Sequence, residues 1–185
     1  MGITAINDLT HLNEMEKISE MEVWQRGPIE GVPALLQPVA HALLQTVEDI
    51  EKEMSAFPSS LLSEKPGGVA SVGFHLKHFK GVVDRLFTYA RGEMLSDEQM
   101  DYLKAETISS DRDSVQMLVE DFRKQVLTAL EQLKRTDVNM LTDIRAVGRK
   151  QIPSTVIGLL FHAAEHVQRH VGQLIVTARI LRAQL

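Results

Sequence analysis

The stretch STVIGLLFHAAEHVQRHVGQLIVTARILR, residues 154–182, runs its whole length without a proline. Ser154 is a good N-cap residue, and the spacing predicts a helix that continues to about Arg182. Leu159, His162, His166, His170, Gln173, Thr177 and Ile180 recur at steps of three and four, the period of one helical face. A face of this kind is expected to point into the core of a bundle. Three of its positions are histidines at i, i+4 and i+8, one turn apart on the same side. Adjacent i, i+4 histidines can share one metal ion, as in the HExxH pattern. Neither His162 nor His166 is followed directly by Glu, so the pair geometry is present without that motif's general base.

Three more amphipathic segments lie upstream. From Ala34 to about Phe57, apolar residues fall at Leu35, Val39, Leu43, Val47, Ile50 and Met54, with Pro38 in the first turns, where proline is tolerated. A second helix is expected from the N-cap Ser71 to the glycine Gly92, with His75, His78 or Phe79, Val82, Leu86 and Tyr89 inward. A short helix over residues 96–106 follows. A third long helix is announced by Ser110 and Asp111 and reaches about Lys134. Residues 135–153 read as a loop or short extended hairpin ending in Pro153. Pro58, Pro66, Gly67 and Gly68 make a loop, and Gly67-Gly68 reads as a turn rather than a phosphate loop. Four long amphipathic helices with no convincing strand pattern predict an all-α four-helix bundle. Residues 1–27 are mixed and acidic, with a weak helical pattern through Leu12, Met15, Ile18 and Met21. They read as an N-terminal arm before a domain over residues 28–185.

Composition bounds the function. The 185 residues suit one domain, with 44% hydrophobic and 24% charged residues, as in ordinary globular proteins. A formal charge of −5 offers no basic footprint for nucleic acid. The absence of cysteine excludes disulfides, a thiolate zinc site and a cysteine nucleophile. The N-terminus lacks a secretory pattern, and the longest apolar runs are too short to cross a bilayer, so a cytoplasmic protein without membrane partners is expected.

Five of the seven histidines fall on the predicted seams of the second and fourth helices. Burying imidazoles there without partners is costly. Sites in helical bundles are built from inward side chains on facing helices. The pair His166 and His170, joined by a seam histidine of the second helix, makes a three-imidazole set with room for water, the usual form of a catalytic zinc site. All-nitrogen ligation suits Zn, Ni, Cu or Fe and argues against Mg or Ca. His75 and His162 are each a supporting group or an additional ligand, and Gln173 and His162 are candidates for orienting the ligands. His11 and His41 read as structural or surface residues. Glu165 is expected to face another helix or solvent, Tyr89 to pack in the core, and Arg85 to form a salt bridge. The Glu-x-x-His pairs of carboxylate-bridged di-iron bundles are missing, as are GxSxG and Walker patterns.

The segments SVGFHLKHFKGVVDRLFTYARGE (71–93) and GLLFHAAEHVQRHVGQL (158–174) resemble the two histidine motifs of the DinB/YfiT-like superfamily of proposed metalloenzymes. That family carries one ligand histidine in the second helix and a pair in the last, the latter ending in a motif like HRGQ. His78 occupies the first place and His166 and His170 the other two, while Val171 replaces the commoner arginine. The resemblance covers most of residues 30–185. It implies an up-down-down-up bundle with a long crossover between helices two and three, a divalent metal, zinc or nickel, on the three histidines, and frequent homodimers. Related members include bacillithiol- or mycothiol-dependent transferases and a mycothiol-dependent isomerase; many others have no established activity. The implied function is a metal-dependent enzyme that activates water or a low-molecular-weight thiol for attack on a small electrophile. The rival reading is a non-catalytic, stress-associated dimeric module whose metal stabilises the bundle.

Overall fold

The structure, a computed structural model, describes residues 21–185. The weak helical pattern read through Leu12 to Ile18, and His11, lie outside the described residues. Four long helices dominate: α1 (Gln37–Met54), α2 (Val72–Ala90), α4 (Val115–Arg135) and α5 (Val156–Arg182), with a short α3 (Asp97–Ala105) between α2 and α4. Both α4 and α5 pack against α1, and both pack against α2. One continuous apolar core lies between them, with Leu43, Ile50, Leu76, Phe79, Phe122, Leu133, Leu160 and Leu174 fully buried. Truncating one such leucine to alanine costs about 2–5 kcal/mol, a large share of the stability of a domain this size. Among the described residues no helix is long and apolar enough to cross a membrane.

The helix starts follow local hydrogen bonding. Ser71, the cap read from the sequence, caps α2 by accepting the Phe74 N–H, and Ser96 caps α3 by accepting that of Gln99. Gly92, at φ +80°, follows the end of α2, a conformation that favours glycine. Two starts differ from expectation. The cap of α4 is Ser114, whose hydroxyl accepts the Met117 N–H, because Ser110 is held in a turn by Asp113. The cap of α5 is Thr155, one residue beyond Ser154: both are paired across a hairpin, and it is the Thr155 hydroxyl that accepts the Gly158 N–H.

That hairpin is a small antiparallel sheet, β1 (Ile144–Val147) with β2 (Ile152–Thr155), registering Ile144 opposite Thr155 and Val147 opposite Ile152. It realises the short extended hairpin, one of the two options read for residues 135–153, ends two residues later at Thr155, and makes the fold mostly, not purely, helical. Pro153 sits within β2, tolerated in a two-stranded sheet that has only edge strands. At the other end of the described chain, residues 21–27 pack on α1. Val23 is buried and its N–H donates to Gln45 Oε1 at 2.9 Å, while Arg26 pairs with Glu48. His41 holds the same segment through a 3.0 Å contact between its Nε2 and the Gly27 carbonyl.

Helix α5 corrects one expectation. Its buried stripe is Leu160, Ala163, Ala164, Val167, Val171, Leu174, Ala178 and Leu181, with Leu159 and Thr177 also buried. The histidine strip sits one residue back, turned about 100° from that stripe. His166 and His170 are half-buried, whereas His162, Gln173 and Ile180 are exposed. The histidines therefore border the core rather than fill it.

Candidate metal centre

Helices α2 and α5 are packed side by side, and their facing edges carry the histidines. Ligand nitrogens of His78, His166 and His170 all lie within 4.8 Å of one another. His78 Nε2 stands 3.0 Å from His166 Nε2, and the His78 ring is edge-on to His170 at a centroid distance of 4.8 Å. Two nitrogens sharing a tetrahedral ion at about 2.0–2.1 Å would stand roughly 3.3 Å apart, close to the His78–His166 separation.

Each ring has a partner behind it. His78 Nδ1 lies 2.8 Å from Glu106 Oε2, and Arg85 Nη1 donates to Glu106 Oε1 at 2.5 Å. Because the carboxylate accepts, His78 carries its hydrogen on Nδ1 and turns the Nε2 lone pair toward the other rings. His170 Nδ1 lies 3.2 Å from Nδ1 of His75, which is 1% exposed. One of those nitrogens donates to the other. On the remaining ring, Arg169 Nη2 donates to His166 Nδ1 at 3.1 Å, which assigns that ring's hydrogen to Nε2, facing His78. For His166 to ligate through Nε2, the hydrogen must move to Nδ1 and Arg169 must release the ring. Arg169 already holds both oxygens of Glu165, at 3.2 and 3.3 Å.

Three of the rings, His75, His166 and His170, are held toward the neutral form. Burial pushes His75 down to about 4, with His170 and His78 adding to the shift. Burial likewise lowers His166 to about 4, reinforced by His170, His78, Arg169 and His162. His170 is lowered by burial, His78 and Arg169 against an opposing pull from Glu165. At neutral pH these groups offer lone pairs rather than charges, as a cation requires. Three converging imidazoles, one backed by a carboxylate, fit a divalent transition metal and not magnesium or calcium.

The other candidates fall elsewhere. His162 is half-exposed, with Nδ1 2.6 Å from Glu165 Oε1, and with Glu165 and His166 it forms a second group whose ligand atoms lie within 4.8 Å. Glu165 thus turns to its own helix, not to another. Gln173 is exposed, and among the described residues no hydrogen bond joins it to the histidines. Tyr89 is buried in the core. Arg85 does form an interhelical salt bridge, and its partner is the residue that sequence reasoning missed. Glu106, 3% exposed, follows the last turn of α3, 28 positions after His78, and only the fold brings them together. The available signal was Gly81, a glycine in mid-helix. A Cβ there would collide with the Glu106 carboxylate and the Arg85 guanidinium.

A helical fold that gathers three imidazoles from two packed helices presents a group that could hold a metal ion. The sequence profile of the DinB superfamily matches residues 12–174, and the chain belongs to that superfamily. The match begins inside the segment read as an N-terminal arm. The fold resembles a crystal structure described as a conserved protein of Enterococcus faecalis. Its TM-score is 0.66 at 17% identity, covering 80% of this chain and 97% of that one. No curated protein matches the chain.

Proposed function

We propose that this protein holds a divalent transition metal, zinc or nickel, on His78, His166 and His170 and is a metal-dependent enzyme for a small electrophilic substrate. The observation that carries the reading is the convergence of the three ligand nitrogens to within 4.8 Å of one another. Such an ion lowers the pKa of water or a thiol, supplying a nucleophile near neutral pH. The chain's own residues supply position: Glu106 stands behind His78, and His75 behind His170.

A cleft of about 600 Å³ lies beside His78, with none of the histidines in its wall, and offers room for a small molecule next to the site, which supports the enzyme reading over a stabilising metal module. Phe74 and Glu106 belong both to its wall and to the surroundings of His78, the Phe74 ring stacking on that of His78 at 5.1 Å. Its volume suits a small-molecule substrate. Hydrolysis or S-transfer from a low-molecular-weight thiol is the reaction class. The up-down-down-up connectivity and the homodimer implied by the resemblance belong to the same reading. The connectivity is supported by the long connection, residues 91–114, that carries α3 between α2 and α4.

Turnover decides between enzyme and module. The zinc- and nickel-loaded protein, assayed with small electrophiles in water and with added low-molecular-weight thiols, is expected to show turnover that disappears on chelation and returns on reloading. Loaded protein that accelerates none of these reactions, with metal raising only its melting temperature, would establish the module instead.

A further inference from the structure

We infer that Glu106 and Arg85 form a positioning device that fixes the tautomer of His78, with Arg85 deciding which way the device works. The inference rests on the metal reading above for its purpose but not for its geometry. Glu106 and Arg85 are 3% and 9% exposed, so each is held mainly by protein partners. The carboxylate divides its oxygens, Oε1 accepting from Arg85 Nη1 and Oε2 accepting from His78 Nδ1. Gly81 leaves the space that both groups occupy above α2.

A guanidinium only donates, so whatever occupies position 106 must turn an acceptor toward Arg85. With a carboxylate, the second oxygen is also an acceptor, and His78 keeps its hydrogen on Nδ1 with the lone pair on Nε2. An amide in the same place has one acceptor and one donor. Arg85 claims the amide oxygen, the NH₂ group then faces His78 Nδ1, and the histidine is driven to carry its hydrogen on Nε2. That nitrogen no longer has a lone pair for a cation and presents a hydrogen to His166 Nε2, 3.0 Å away. Exchanging carboxylate for amide behind a working histidine acts through the wrong tautomer in this way. Arg85 and Glu106 are positioning residues and touch no substrate themselves.

The test is nitrogen NMR of the His78 ring in metal-free protein, together with zinc affinity by calorimetry, across three proteins. Wild type is expected to show the Nδ1–H tautomer. Glu106→Gln is expected to show the Nε2–H tautomer and to bind zinc roughly tenfold to hundredfold more weakly, the usual cost of losing such a partner. The double variant Glu106→Gln/Arg85→Met frees the amide to turn its oxygen to His78, and is expected to recover the Nδ1–H tautomer and most of the affinity. A merely structural role predicts no such rescue. Wild-type tautomer and affinity in Glu106→Gln would overturn the proposal, and an unrescued double variant would overturn the role of Arg85. Should Glu106→Gln fail to fold, an Nε2–H signal from wild-type His78 would overturn it alone. Wild type that binds no zinc but shows the Nδ1–H tautomer would sink the metal reading and leave this device standing.

Discussion

Among the described residues, two buried carboxylates are paired with arginine, and they do different work. Glu53 near the end of α1 meets Arg179 Nη2 at 3.1 Å and also contacts Arg182, both from the last turns of α5. Its partners are cations only, at a helix C-terminus where positive charge is favourable. The Arg179 side chain is 70% exposed, so it can return to water at little cost. Glu106 has one arginine and one histidine, both largely enclosed. A carboxylate between two cations pins helices together; one between an arginine and an imidazole orients a ring.

The comparison can be broken most sharply by the amide exchange at both places. Glu106→Gln is expected to weaken zinc binding tenfold to hundredfold, whereas Glu53→Gln leaves it within about twofold. The stability effects run the other way in meaning: Glu53→Gln is expected to cost on the order of 1–2 kcal/mol, a few degrees of melting temperature, with no effect on the histidines. A matching loss of zinc affinity in Glu53→Gln would show that both carboxylates act only through general stability.

A methyl group sharpens the same contrast with a smaller effect. Gly81→Ala forces the Glu106–Arg85 pair to move and is expected to destabilise by about 1–3 kcal/mol while lowering zinc affinity. Gly172→Ala on α5, where an added Cβ meets nothing within 4 Å, is expected to stabilise by about 0.5–1 kcal/mol through helix propensity. Urea midpoints check both signs; destabilisation by Gly172→Ala would mean that its face is covered.

The same histidines make the metal-free protein sensitive to pH. His75 and His166 sit near 4 in the folded state, below the ordinary value of 6.5. Above about 6.5 neither state holds the proton, and stability is flat. Between about 6.5 and 4 the unfolded chain takes up protons that the folded chain refuses, so stability falls as pH falls. Urea midpoints across this range should decline in wild type and decline less in His75→Ala. Equal slopes would mean that His75 is not held neutral.

Much of this was legible in the sequence. The Ser71 cap, the i, i+4 pair His166 and His170, and His78 on a helix otherwise rich in apolar residues all depend on local spacing, which a chain displays directly. The position of the strip was misjudged because α5 carries two adjacent stripes at the same period. Small residues at Ala163 and Ala164 made the apolar one easy to overlook. Ser110 and Ser154 are as good caps by residue type as Ser114 and Thr155; a turn holds Ser110, and residue type does not distinguish Ser154 from its neighbour. Glu106 was hidden because its partnership with His78 exists only in three dimensions. Gly81 alone marked the place, as a residue that weakens a helix unless something needs the space.

The central claim is that His78, His166 and His170 together hold a metal. Metal content by mass spectrometry, measured on protein loaded with zinc and then dialysed, tests it most directly. The account predicts about one zinc per chain in wild type and almost none in His166→Ala with its helical spectrum intact. Equal zinc in the two proteins, or none in either, would contradict it.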